Sequence, residues 1–339
     1  MKLRAEVELQ ALNTLRLPSM AQFLASPRNV DEAREAIAEA ASKNLPLTIL
    51  GGGSNVVLRR RLAGCVLLPR FGGIEVHHDG ATRIVTAGAG VIWHDLVRFC
   101  LGQGLSGLEN LALIPGCVGA APIQNIGAYG LELQERFHSL TALSCRDGSD
   151  VVMGAAQCAF GYRDSIFKCP SHSGLLITGV SLIVSGNFEP RIGYPDVQRE
   201  LSALGVRPSA VSVAEAVTRI RRRKLPDVRR IPNAGSFFKN PVLRPDEVER
   251  LRERLGAVPT FDARNGIKVA AARLIEAAGW KGRQLGRAAV WSRQPLVLVN
   301  RGNADATDLL MLARAIQSDV ADRFGVALEL EPSVLGSDD

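Results

Sequence analysis

Residues 105–130, LSGLENLALIPGCVGAAPIQNIGAYG, carry neither the 3.6-residue period of a helix nor the alternation of a strand. A 26-residue segment of this kind inside a globular chain has to be held by a scaffold, and loops of that length are usually functional. Its last 17 residues, 114–130, hold four glycines, two prolines and the side-chain amides of Gln124 and Asn125. Prolines stiffen such a loop, glycines let it lie against a flat ligand, and amides read the ligand's polar edge. Ile114, Val118, Ile123 and Ile126 have no place in a surface connector and make this a buried loop, whose backbone groups need partners. The segment reads as a binding loop.

The flanking sequence supplies the scaffold. Residues 31–44, DEAREAIAEAASKN, read as a helix capped by Asp31, and 46–50 as a strand running into GGGSN at 51–55. Further strands are expected at 65–69, 83–90, 139–145, 175–185, 296–300 and 326–330. Helices are expected at 93–104, stopped by glycine, at 212–224 with a capping box from Ser212 to Glu215, and at 246–255, 268–279 and 305–324. Gly, Pro, Asn and charge gather around 186–210, the candidate boundary. The pattern predicts an α+β protein, with a larger N-terminal part carrying glycine-rich loops and a helix-rich C-terminal part. A length of 339 residues suits two or three domains.

Composition narrows the ligand. A formal net charge of +7 suits a phosphate-bearing small molecule or a nucleic acid. Aromatics are 5%, and none interleave with the basic runs as base-stacking platforms would, so no nucleic acid is expected. Six cysteines (65, 100, 117, 145, 158, 169) form no C-x-x-C pair, and five scattered histidines complete no ligand set, so no metal is expected. MKLRAEVELQ has charges where a signal peptide has its apolar core, and LLITGVSLIV at 175–184 is too short to span a bilayer. The expectation is a soluble, cytoplasmic protein with reduced thiols and no membrane contact.

Four short segments carry candidate chemistry. GGGSN comprises Gly51, Gly52, Gly53, Ser54 and Asn55 and can turn several backbone N–H groups toward pyrophosphate oxygens. It matches neither the Rossmann nor the Walker spacing, and an ordinary turn also explains it. GYRDSIFK at 161–168 sets Tyr162 beside Arg163, whose guanidinium fork can hold a carboxylate or enolate; a surface arginine beside Asp164 fits the same residues. RIRRRKLPDVRR at 219–230 holds seven positive charges in 12 residues. Its arginines read as a solvated face, while Lys224 stands at the turn toward NAGSFFKN at 233–240. Lys224 on one side, with Lys239 and Asn240 on the other, fits a diphosphate site. Ser236 taken alone reads as a turn residue before a short apolar strand, since turn chemistry explains Asn, Gly and Ser here.

Taken in order, GGGSN, NLALIPGCVGAAPIQNIGAYG, GYRDSIFK, KLPD and NAGSFFKNP resemble the UDP-N-acetylenolpyruvoylglucosamine reductase family, across roughly residues 10–336. The resemblance implies an FAD-binding region of the vanillyl-alcohol-oxidase (PCMH) type at 1–205, in subdomains of about 1–65 and 66–205. It implies a smaller α+β substrate-binding domain at 206–325 and a C-terminal strand and tail at 326–339 that complete the site. The implied reaction is NADPH-dependent, FAD-mediated reduction of UDP-N-acetylglucosamine enolpyruvate to UDP-N-acetylmuramate in peptidoglycan synthesis. Hydride passes from flavin N5 to the vinyl carbon, and Ser236 gives the proton. Arg163 steadies the enolate with Tyr162 beside it, and Tyr194, Lys224, Asn240 and Gln294 take the UDP moiety. Tyr194 in GYPD implies the subclass in which a tyrosine-bearing loop closes over substrate. FAD falls to the five GGGSN residues and to Pro115, Gly116, Cys117, Val118, Gly119, Ile123, Gln124, Asn125, Gly127, Ala128 and Gly130.

The chain departs from the family's pattern twice. Near the C-terminus the proline follows the acid instead of preceding it: Leu328, Glu329, Leu330, Glu331, Pro332. Spacing to Gly336 selects Glu331 as the partner acid, with Glu329 as fallback, and strand alternation would put both on one face. Ala120 and Ala121 stand where relatives often carry serine, so backbone donors from Gly116 to Gly119 have to serve FAD instead. The protein is expected to act as a monomer on its nucleotide substrate and NADPH. A different FAD-dependent oxidoreductase on the same scaffold is the alternative, and it leaves NAGSFFKNP and KLPD unexplained. A non-catalytic nucleotide or RNA binder using 219–230 is a further one.

Overall fold

The ten-residue apolar run Leu175–Val184 is the middle strand of a five-stranded antiparallel sheet, with Val180, Leu182 and Val184 buried on alternate residues. The computed structural model describes residues 1–79, 82–169, 174–263 and 265–338, and the statements below concern those residues. They form two units, each with its own apolar core.

The first unit takes residues 1–7, 21–53 and 62–222. Its five-stranded sheet runs in the order Asp150–Gly154, Phe137–Ser144, Leu175–Val184, Thr82–Gly88, Ile74–Asp79. A four-stranded sheet runs Arg4–Glu8, Met20–Ala25, Arg61–Leu67, Leu47–Ile49, the last two strands parallel. Helices Val30–Ser42 and Trp93–Gly102 bury Ala33, Ala36, Ile37, Trp93, Leu96 and Val97 in the core of this unit. The expected long loop is present at 105–130, broken only by single 3₁₀ turns at Glu109–Leu111, Val118–Ala120 and Pro122–Gln124 and by the two-residue strand Gly127–Ala128.

The second unit takes 8–20, 54–61 and 223–339. A four-stranded sheet runs Asn233–Ser236, Val297–Asn300, Ala288–Val290, Gln284–Leu285, and a three-stranded sheet runs Val242–Leu243, Gly266–Val269, Thr260–Ala263. Helices Pro245–Leu255, Ala271–Ala277 and Ala306–Phe324 join them in one core with Phe237, Phe238, Leu298 and Leu328. Ser333–Leu335 pairs in parallel with Val56–Leu58.

Several expectations change. The units change over between Arg222 and Arg223, because helix Ala210–Lys224 packs Val213, Ala216, Val217 and Ile220 into the first core; a composition shift at 186–210 does not reveal which core a helix joins. That helix starts two residues earlier than expected, where Ser209 and Ser212 cap each other's amides at 2.8 and 3.1 Å, and Glu215 pairs with Arg219 instead. Asn29, not Asp31, caps the first helix by accepting from Glu32 N–H at 2.9 Å. Residues 266–269 are strand, so the helix expected over 268–279 is confined to Ala271–Ala277. Residues 326–330 are not a strand; only Leu330 bridges, to Phe238, and the strand lies at Ser333–Leu335. The six cysteines are free thiols. No described helix is long and apolar enough to cross a membrane, and no cluster of metal-ligating side chains occurs among the described residues.

Candidate functional site

In the first unit Gly51 and Gly52, which open GGGSN, lie backbone to backbone on the long loop. A Cβ on Gly52 would come within 2.8 Å of Gly116 Cα, and one on Gly51 within 2.9 Å of Cys117 Sγ, so only glycine allows this approach. Cys117 joins the two turns: its buried sulfur takes the Gly52 and Ala120 amides, and burial pushes its thiol pKa up. The loop leans equally on the segment before helix Trp93–Gly102. Val118 N–H donates to Val91 at 2.8 Å, Gly119 N–H to Ala89 at 3.0 Å, and Trp93 N–H to Gly116 at 3.0 Å. Two of the donors expected to serve FAD, Val118 and Gly119, are therefore used within the protein. Of that run, the Gly116 amide has no acceptor among the backbone hydrogen bonds of the described residues.

Asn125 also proves structural. Fully buried and left-handed at φ 44°, it donates to Glu132 and to the Gly161 carbonyl at 2.9 and 3.0 Å and accepts from Gln134 N–H at 2.9 Å. Its amide ties the loop to the segment carrying Arg163 and is not turned to a ligand. Val118 and Ile126 are buried as expected, while Ile114 and Ile123 are half-buried.

Arg163 sits at φ 53°, an uncommon conformation for a residue with a side chain. Lys168 Nζ donates to its carbonyl at 2.7 Å, and Ser165 Oγ donates to Ile123 at 2.7 Å. So held, the guanidinium donates through Nη2 to the Gly127 carbonyl at 2.7 Å and stacks 5.5 Å from the Tyr162 ring. Tyr194 caps helix Pro195–Leu204 and meets Tyr129 edge to face at 5.3 Å. Burial pushes the Tyr129 phenol up to about 12 and the Tyr194 phenol up as well. Burial holds the Arg221 guanidinium below its ordinary pKa, with the Tyr129 phenol favouring its charge and the nearby Arg163 disfavouring it. Two guanidinia so placed favour an anionic ligand.

Sequence reading missed Arg221 by assigning the arginines of the basic tract to a solvated face. Helical spacing contains the signal, since Ala214, Val217 and Arg221 stand at i, i+3 and i+7 on the buried stripe of their helix.

In the second unit Ser236 ends strand Asn233–Ser236, opposite Val297. The register slips between Asn233 and Ser236, with Gly235 at φ 72°, so the bulge re-aims the serine. Asn233 is 2% exposed and holds this turn to KLPD, donating to the Pro226 and Ile231 carbonyls and accepting from Gly235 N–H at 3.0 Å. Phe237 and Phe238 are fully buried beyond it.

The C-terminal segment pairs with that same stretch. Lys239 N–H donates to the Glu329 carbonyl at 2.9 Å, and Glu331 N–H donates to the Phe237 carbonyl at 3.0 Å. Asn55 Nδ2 holds the Glu331 carbonyl at 3.2 Å, so this GGGSN residue serves the acid's segment. The two glutamates part company: the Glu329 carboxylate is 74% exposed and pairs with Lys239 at 3.1 Å, whereas the Glu331 backbone is fixed next to Ser236's neighbour.

Lys224 and Gln294 share one hairpin's support. The Lys224 carbonyl accepts from Trp291 Nε1 at 3.1 Å, and Gln294 accepts from Val297 N–H at 3.0 Å, the residue opposite Ser236. Asn240 Oδ1 accepts from Ala271 N–H at 3.0 Å, which leaves its NH₂ as the donor for a ligand. Ser236, Lys224, Asn240, Gln294 and Glu331 thus belong to the second unit, and Arg163, Tyr162 and Tyr194 to the first.

Comparison with known proteins adds the following. A family model described as UDP-N-acetylenolpyruvoylglucosamine reductase, C-terminal domain, matches residues 226–335, and one described as FAD binding domain matches residues 21–154. The chain is 49% identical over 332 residues to the UDP-N-acetylenolpyruvoylglucosamine reductase of Burkholderia vietnamiensis, covering 96% of this chain and 95% of that protein. It is 49% identical over 334 residues to the enzyme of the same name from an Azoarcus species, covering 96% of each. The crystal structure of the Thermus caldophilus reductase superposes with a TM-score of 0.69 at 26% identity, covering 99% of this chain and 100% of that one.

Proposed function

The chain belongs to the UDP-N-acetylenolpyruvoylglucosamine reductase family, and we propose on that premise that it reduces the enolpyruvyl ether of its UDP-sugar substrate to the lactyl ether, with NADPH as reductant. The product feeds peptidoglycan synthesis. The fold is accordingly α+β, an FAD-binding region followed by a smaller α+β domain. We assign FAD to the first unit, and the UDP moiety and proton transfer chiefly to the second, in a cytoplasmic monomer.

The first unit's residues fit FAD. Where the two glycine turns meet there is no space for a Cβ, so a ligand there meets backbone amides, as a pyrophosphate requires. Gly51, Gly53 and Gly116 would hold the pyrophosphate, and the loop from Ile123 to Gly130 the flavin. When bound, FAD supplies the hydride. Arg163 holds the substrate's carboxylate and the enolate that forms from it, with Tyr162 stacked on its guanidinium. Ser236 holds a proton for the carbon that becomes negative, and Glu331 is the partner acid. Lys224, Asn240, Gln294 and Tyr194 bind the diphosphate and uridine.

A single observation carries this reading: Ser236 stands on a glycine bulge whose next residue is bonded through its backbone to Glu331. A neutral serine is a weak acid, so it can serve only if it is aimed this closely. The test is anaerobic absorbance. NADPH bleaches the flavin of the purified protein, and the enolpyruvyl nucleotide restores it without oxygen. Failure of the second addition to restore the colour refutes the assignment.

A further inference from the structure

Two residues flanking the binding loop adopt left-handed backbone without being glycine: Leu113 at φ 60° and Tyr129 at φ 49°. A Cβ disfavours that conformation, so it persists only where neighbours hold it. Leu113 is gripped on both sides. Its N–H donates to His94 Nδ1 at 3.0 Å, and its carbonyl accepts from Arg221 Nε at 3.2 Å. The same Arg221 side chain faces the Tyr129 phenol at the other end of the loop, where Asn110 Nδ2 donates to the Tyr129 carbonyl at 2.8 Å. The stretch around Leu113 is tied down further by Trp93, whose Nε1 donates to Leu111 at 2.9 Å and whose N–H donates to Gly116 at 3.0 Å. All these residues lie in the first unit.

We propose that Arg221 and His94 are positioning residues: they form a clasp that joins the two ends of loop 114–130 and holds Leu113 and Tyr129 left-handed, so that the loop is shaped for the flavin before the flavin arrives. The cofactor in this statement rests on the function proposed above; the clasp itself rests on the hydrogen bonds. The residue types suit the task. A guanidinium has donors pointing several ways and reaches a carbonyl and a phenol together, which a lysine ammonium does less well. An imidazole accepts an N–H only through an unprotonated nitrogen. Burial, with Arg98, Arg221 and Arg222 set against Asp95, lowers the affinity of His94 for a proton and keeps Nδ1 an acceptor at neutral pH. A loop fixed in advance loses less conformational freedom when it binds.

The test uses the whole chain, stripped of flavin. Amide hydrogen exchange follows residues 113–130, with helix Ala306–Phe324 as internal reference, and FAD is then titrated by quenching of its fluorescence. Arg221→Lys should speed exchange in the loop and raise the Kd for FAD, each by roughly tenfold, with the reference helix unmoved. His94→Ala should do the same more weakly, and His94→Asn, whose Oδ1 replaces Nδ1 as acceptor, should stay near wild type. Because glycine adopts φ 60° freely, His94→Ala should cost less in a Leu113→Gly background than in the wild type. Additive effects of those two substitutions would overturn the clasp, as would an Arg221→Lys protein with unchanged exchange and unchanged affinity. If Arg221→Lys fails to fold, the His94 and Leu113 cycle decides alone. If the wild type takes up no FAD, the flavin reading falls and the exchange data still judge the clasp.

Discussion

Gly235 turns left-handed immediately before Ser236, inside a bulged strand whose partner is the well-buried Val297–Asn300. The hydroxyl is therefore aimed by backbone on one side and by the buried phenylalanines on the other. On the proposed reading, replacing Ser236 by Ala removes the proton source and leaves that frame intact. NADPH should still bleach the flavin, while turnover of the enolpyruvyl nucleotide should fall by roughly 10²–10⁴-fold in stopped-flow absorbance. The two C-terminal glutamates make a paired prediction. Glu331→Gln should lower kcat by about 100-fold or more, whereas Glu329→Gln should stay within about threefold, because an exposed ion pair contributes little. Steady-state rates that rank the two the other way would move the acid to Glu329. Ser236 was visible as a single hydroxyl between a glycine and two phenylalanines and Arg163 as a guanidinium beside Tyr162, while the roles expected of them came from the resemblance of the ordered motifs to a known family. Asn125 stood out equally and proved to be a tie between segments, since burial of an amide is not written in its own neighbours.

Among the elements, the stacked turns at 51–53 and 116–119 show where glycine is required by close approach. Gly52→Ala would place a methyl 2.8 Å from Gly116 Cα, and because both partners are backbone neither can swing aside. The turns should part, raising the Kd for FAD by at least about tenfold and lowering the melting temperature of the flavin-loaded protein more than that of the stripped one. An unchanged Kd would remove this stack from the cofactor site. Helices were largely legible because an apolar stripe repeats locally, as in Trp93–Gly102 and Ala306–Phe324. The segment 326–330 misled because alternation of Val326, Leu328 and Leu330 fits a strand, yet Leu328 packs into the second core while only Leu330 finds a bridging partner.

Across the molecule, two cores are assembled from interleaved stretches of chain, with 8–20 and 54–61 leaving the first unit for the second. The molecule has titratable weak points. His94 is one, in the first unit, with a proton affinity held below the ordinary histidine value chiefly by burial and then by Arg98. A histidine that folds neutral stabilises fully above its unfolded pKa, about 6.5, and that stability is lost as pH falls through the lower folded value. Calorimetry of the stripped protein should therefore show a melting temperature that drops between about pH 7.5 and 5.5, and the His94→Asn protein should drop less. Equal drops in the two proteins would show that another group governs the acid limb.

The sequence alone determined which short segments are candidates for chemistry and in what order, because GGGSN, the proline- and glycine-stiffened loop, Tyr162 with Arg163, KLPD and NAGSFFKNP are each local patterns. It also determined the α+β class, since helical and strand periods are local. Tertiary structure alone decided which polar groups remain for a ligand. Val118, Gly119 and Asn125 give their hydrogen bonds to chain 7 to 36 residues away, and Arg221 leaves a basic tract to reach a carbonyl 108 residues upstream. A hydrogen bond depends on position in space, and a one-dimensional pattern records only the donor and the acceptor that could form it.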